Sequence, residues 1–196
     1  MDAPKHLIIS SEVIYVWQQL QIIVSICESL VKDSVFLCLT RRNLAANYDF
    51  YLGREIARKL LLELPGALEF SKILPKAITA KSSQGWFSEV TKRLLASNDK
   101  KEYYLGIKQS NLFGSYYICL TRRNLSIHPF KDMNFMLTLP AARVLLNRLP
   151  FALIAANQHQ ENCFLKEPKA IPLERANTVI VDPKSIPLES TKTDVV

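Results

Sequence analysis

Two neighbouring stretches combine rings and cations at a spacing that matters. In the first, Tyr104 and Lys108 flank Leu105 and Ile107; in the second, Tyr117, Cys119, Thr121 and Arg123 alternate with Ile118 and Leu120. Successive side chains of an extended chain point to opposite sides, so turning the aliphatic set inward leaves the rings and cations on one outer face. That composition suits a sequence-tolerant binder of single-stranded nucleic acid: rings on which bases stack, worth about 1–3 kcal/mol per base, and basic groups that follow phosphates. A competing role stands beside it. Aromatic residues on strands also serve as packing, and paired arginines at a strand end also act as a solvated margin that discourages edge pairing.

The same pattern occurs twice. Gln21 to Leu44 recurs 81 positions later as Glu102 to Leu125, with 10 identities in 24 positions, among them the run Cys-Leu-Thr-Arg-Arg-Asn-Leu. Chance does not produce this, and the period is too long for a solenoid, so one unit has been duplicated and its copies pair. The candidate interface is therefore Tyr104, Lys108, Tyr117, Thr121, Arg122 and Arg123 in the second copy, and Phe36, Thr40, Arg41 and Arg42 in the first. The first copy is the poorer face, because Ile23 and Cys27 stand where the second has Tyr104 and Lys108.

The elements that must position these residues follow from periodicity. Residues 6–18 are β-branched and aromatic and read as a strand with a break at Ser10 and Ser11. Ile22, Val24 and Ile26, answered by Val35, Leu37 and Leu39 around a turn at Ser29 to Ser34, form the first hairpin. Tyr48 to Leu52 gives a short third strand. Ile56, Ala57, Leu60, Leu61 and Leu64 then fall at helical spacing up to a stop at Pro65-Gly66. Glu69 to Gly85 reads as a linker, and Trp86 to Ser97 as either an amphipathic helix or a strand. The second hairpin turns at Asn111 to Gly114. A strand at Met133 to Leu139 follows, then a helix opened by Pro140 and closed by Pro150. The helix signatures are offset by 85 rather than 81, placing four extra residues in the loop Ser126 to Asp132. Asn43 and Asn124 are expected to close a turn after each hairpin.

In these segments the second copy resembles the PUR family, the purine-rich-element-binding proteins. The matching parts are KRLLAS at 92–97, KKEYYLGIKQ at 100–109, the turn Asn111-Leu112-Phe113-Gly114, SYYICLTRR at 115–123 and FMLTLPAARVLLNRL at 135–149. The first copy is degenerate: Ser29 to Asp33 lacks the Asn-x-x-Gly turn. The resemblance implies an α+β fold, PUR/Whirly-like, of two intertwined strand-strand-strand-strand-helix repeats whose sheets hold single-stranded DNA or RNA. On that division, residues 1–68 are the first repeat, 69–91 a linker, 92–156 the second repeat and 157–196 an extended tail. Pairing between chains, giving a homodimer, is open as well as pairing within one.

Composition fits this reading. The net charge is +7, carried by a body of +8 before Asn157 and a tail of −1, which favours an anionic partner. Cys27, Cys38, Cys119 and Cys163 have no C-x-x-C spacing and no neighbouring histidine ladder, so neither a metal nor another cofactor is expected. His6, His128 and His159 are scattered, and no phosphate loop or nucleophile motif appears, so no catalytic residue and no enzyme is expected. The apolar run from Val13 to Val31 is broken by Gln18, Gln19, Gln21 and Glu28 and is expected neither to target nor to span a membrane, and the cysteines are expected to stay reduced in a nuclear or cytoplasmic setting.

The tail carries a second duplication, Glu167 to Glu174 echoed by Asp182 to Glu189. Pro168, Lys169, Ile171, Pro172 and Leu173 match Pro183, Lys184, Ile186, Pro187 and Leu188. Two prolines in eight residues favour an extended chain of the kind that grooves and sheet edges accept, so the motifs are candidates for binding a protein partner. An arm packed on its own domain or a subunit, and compositional drift, are the alternatives. The function expected is a regulator of transcription or RNA that binds single strands and recruits a partner through its tail; the alternative is a non-enzymatic adaptor that kept the fold and lost nucleic-acid binding.

Overall fold

Alternation decides the strands, and the computed structural model, which describes residues 6–32, 34–75 and 85–165, shows what each alternating set faces. In chain order the elements are β1 (His6–Trp17), β2 (Leu20–Ser29), β3 (Val35–Arg42), β4 (Asn47–Gly53), α1 (Arg54–Ile73), β5 (Phe87–Ser97), β6 (Lys101–Ser110), β7 (Tyr116–Asn124), β8 (Lys131–Thr138) and α2 (Leu139–Leu165). Two four-stranded antiparallel sheets result, ordered β1-β2-β3-β4 and β5-β6-β7-β8. The architecture is the expected α+β pair of repeats, each four strands and a helix.

Corresponding positions do corresponding work. Leu37, Leu39, Phe50 and Leu52 in the first repeat, and Ile118, Leu120, Phe135 and Leu137 in the second, all lie buried in one shared core. The four-residue insertion sits between β7 and β8, so that Leu39 opposes Phe50 just as Leu120 opposes Phe135. Asn43 closes its turn by accepting the amides of Ala45 and Ala46, and Asn124 accepts that of Ser126.

Each helix packs over both sheets, and the repeats are interlocked. From the first repeat, α1 reaches β5 and β6 of the second, while α2 crosses β1, β2 and β3 of the first. A buried hydrogen bond carries the exchange: Gln160 of α2 accepts the amide of Val35 at 2.7 Å. Two cross-repeat ion pairs occupy equivalent places with their charges exchanged, Arg93 of β5 on Glu63 of α1 at 2.6 Å and Arg148 of α2 on Glu12 of β1 at 3.6 Å.

Several limits expected from the sequence are corrected. Residues 86–97 are ambiguous in sequence because β5 is bulged: its register on β6 slips between Glu89 and Thr91 and again between Leu94 and Ala96, and each slip breaks the alternation. The slips of β1, between Ile8 and Ser10 and between Val13 and Tyr15, lie at the same repeat positions, so the break expected at Ser10 is a bulge in a continuous strand. Gly106 accommodates the first bulge of β5, since a Cβ there would lie 2.4 Å from the carbonyl oxygen of Thr91. The second repeat therefore starts with Phe87, ahead of residue 92.

The Leu-Pro stops do not stop the helices. Pro65 lies inside α1 and Pro150 inside α2, which run on to Ile73 and Leu165, past the expected linker start at Glu69 and tail start at Asn157. Pro65 is exposed, so the carbonyl freed by its missing N–H sits on a face that water reaches, while the preceding Leu64, like Leu149 before Pro150, is wholly buried and holds the turn in place. By length and composition α2 alone among the described helices could cross a membrane; here its Ala141, Ala142, Leu145, Leu149, Leu153 and Ala156 fill the core.

Candidate nucleic-acid interface

Since Leu105, Ile107, Ile118 and Leu120 point into the core, β6 and β7 turn Tyr104, Lys108, Tyr117, Thr121 and Arg123 to the opposite side, as alternation requires. Tyr104, Lys108, Tyr117 and Arg123 are partly exposed there, and Thr121 is buried between its neighbours. The face is not a bare array of cations. Arg123 makes a bidentate pair with Asp132 across the β7–β8 ladder, at 2.9 and 3.1 Å, and lies 3.9 Å from Glu102. The Tyr104 hydroxyl donates to Glu102, Lys92 of β5 stands over the Tyr104 ring at 4.6 Å, and Arg123 lies 5.5 Å from that ring's centre. Lys92 also faces Glu89 and Asp132. Three cations, Lys92, Lys108 and Arg123, thus stand against three carboxylates.

These interactions set the titration of the face. The Arg123 guanidinium holds the Asp132 carboxyl below its usual range, and the hydrogen bond to Glu102 pushes the Tyr104 phenol up. Thr121 and Lys108 both donate to Asn134, at 2.8 and 3.1 Å. Burial pushes the Cys119 thiol up, and a hydrogen bond with Cys27 and then burial do the same for Cys38; neutral buried thiols of this kind are inert packing.

Rings extend the face to one margin. Tyr117 meets Phe87 edge to face at 5.6 Å and also lines a cleft of about 390 Å³ with Tyr15, Trp17, Tyr116, Thr138 and Pro140. Tyr15 and Trp17 come from the other repeat, which is why sequence alone did not group them with Tyr117.

Arg122 and Arg41 leave this face. One residue out of phase with Arg123 and Arg42, they fall on the core side at the strand ends, where Arg122 reaches the sulfur of Met133 and Arg41 lies 5.2 Å from the ring centre of Tyr48. The correction is one of parity: adjacent arginines on a strand cannot share a face. Arg122 instead lines a cleft of about 300 Å³ with Lys101, Asn124, Ile127 and Met133. Burial, then the charges of Arg122, Lys32 and Lys100, push the Lys101 ammonium below its usual range. Among the described residues none of these four cations has an ion-pair partner, so the cluster lacks the compensation found on the outer face.

No family model and no curated protein matches the sequence. Among solved structures the chain is similar to WHY1 from Arabidopsis thaliana, at 11% identity over 86% of this chain and 98% of that one, with a TM-score of 0.32.

In the first repeat, Phe36 packs edge to face between His6 and Tyr51, Thr40 donates to Asp49 at 2.7 Å, and Arg42 is exposed. Ile23, Cys27 and Cys38 are buried on this side, so the face presents little for a base to lie on. The tail motif residues, Pro168 to Leu173 and Pro183 to Leu188, lie outside the described residues.

Proposed function

We propose that the chain is a non-enzymatic, PUR-like binder of single-stranded DNA or RNA that acts in the nucleus or cytoplasm as a regulator of transcription or RNA. The observation that carries this reading is the outer face of β5–β8. It is covered by neither helix and offers the Tyr104 and Tyr117 rings beside Lys92, Lys108 and Arg123. Rings hold unstacked bases without regard to sequence, and Lys32, Lys100, Lys101 and Arg122, which have no ion-pair partner among the described residues, offer phosphates a further hold where a strand leaving the outer face would round the end of the sheet.

Fluorescence anisotropy of single-stranded oligonucleotides with the full chain at two salt concentrations tests this. Affinity should fall as salt rises, and replacing Lys101 and Arg122 by alanine should flatten the slope of log K against log salt by about 0.7 for each phosphate no longer neutralised. Affinity that is absent, or indifferent to salt, overturns the reading.

A second reading, a protein-interaction adaptor, is favoured by β1, an edge strand that exposes Leu7, Ile8, Val13, Val16 and Trp17. It predicts a protein partner that survives nuclease treatment in a pull-down. If the tail motifs serve that partner, deleting residues 164–190 abolishes the capture.

A further inference from the structure

Sequence spacing offers no metal site, yet the fold brings three possible ligands together from distant segments. Glu28, at the end of β2, meets His159 and Cys163, which lie one turn apart on the same side of α2. Nε2 of His159 is 3.2 Å from Oε2 of Glu28, Sγ of Cys163 is 3.7 Å from Oε1, and the three ligand atoms lie within 4.8 Å of one another. We propose that Glu28, His159 and Cys163 bind a zinc ion that joins the end of α2 to the sheet of the first repeat.

The geometry suits that ion. Metal–nitrogen and metal–oxygen bonds of about 2.0–2.1 Å and a metal–sulfur bond of about 2.3 Å, at tetrahedral angles, put ligand atoms about 3.3–3.5 Å apart. The two separations from Glu28, 3.2 and 3.7 Å, differ from these by tenths of an ångström, and all three ligand atoms lie within 4.8 Å, a span that side-chain rotations can close. One imidazole, one thiolate and one carboxylate form a donor set for zinc rather than for magnesium or calcium, which take oxygen alone. A dication with one thiolate, one carboxylate and a neutral imidazole gives a site of zero net charge. All three residues are half-exposed, so water can take the fourth position. Cys163 is also the one cysteine of the four that is not buried.

The ligands are held ready. Gln160, on the turn between His159 and Cys163, is buried and bonded to the Val35 amide, which fixes α2 against the β2–β3 hairpin before any ion arrives. Fixing the helix in advance lowers the ordering cost of binding. Binding requires neutral imidazole and thiolate, so it releases protons and weakens in acid.

Titrating the metal-free full chain with Co²⁺, a coloured stand-in for zinc, tests the proposal. A thiolate-to-cobalt charge-transfer band should saturate at one equivalent and disappear when Zn²⁺ is added. Cys163→Ser should abolish the band, Glu28→Gln and His159→Asn should each weaken binding at least tenfold, and His128→Asn should leave it unchanged. Zinc should raise the melting temperature of the native chain and not that of Cys163→Ser, with circular dichroism showing that this variant is folded. Absence of the band at one equivalent, or its survival in folded Cys163→Ser, overturns the proposal.

Discussion

The two outer faces share a backbone and differ in almost every side chain that meets solvent. Where the second sheet has Lys92, Glu102, Tyr104, Arg123 and Asp132, the first has Ser11, Gln21, Ile23, Arg42 and Asn47 at the matching register positions. Behind both faces the core pairs are retained, Leu39 with Phe50 and Leu120 with Phe135. Duplication therefore kept what packs and let diverge what faces solvent. Of the ionic network only Arg42 remains in the first repeat, facing Asn47 where Arg123 faces Asp132.

The comparison can be tested from both sides. If the core is symmetric, Leu39→Ala and Leu120→Ala, each removing a wholly buried side chain, should cost similar stability, about 2–5 kcal/mol in urea titration; a large inequality would show that one repeat dominates the fold. If the faces are asymmetric, Tyr104→Ala should weaken oligonucleotide binding by about 1–3 kcal/mol, while Ile23→Ala leaves it within error. Equal losses would erase the distinction between the faces.

Acid titration sharpens the same contrast. The Asp132 carboxyl is held below the ordinary aspartate range by Arg123, so the stability it contributes is present above about pH 4 and is lost as pH falls through its folded value. Asp132→Asn should remove that dependence, and Asn47→Asp, which gives Arg42 the missing partner, should introduce a similar one in the first repeat; acid denaturation profiles of the two variants decide. The smallest effect is expected at the exchanged ion pairs. Swapping Glu63 and Arg93 to Arg and Glu should restore most of what either single change loses, and that loss is about 0.2–1 kcal/mol because Arg93 is exposed.

Much of the fold was legible because it rests on period and repetition. The hairpins, the offset of 81 and its lengthening to 85 are visible in residue spacing alone. What escaped depends on register or on distance. Bulges hid β5, whose strand residues no longer alternate. The Leu-Pro pairs look like helix stops, since sequence does not reveal that Pro65 faces solvent and Leu64 the core. At the candidate site, the rings and Arg123 were predicted from alternation, but Glu102 and Asp132 were not, because their roles depend on which residues face one another across the ladder. Glu28 and His159 are separated by 131 residues, beyond any local motif.

The exchanged packing of α1 and α2 also makes each repeat an incomplete object. A polypeptide ending before residue 76, expressed without its other half, would leave the apolar inner surface of its sheet uncovered by α2. Supplied as two separate chains divided between residues 76 and 84, the halves should recover structure only on mixing, which makes the protein a natural starting point for a split reporter.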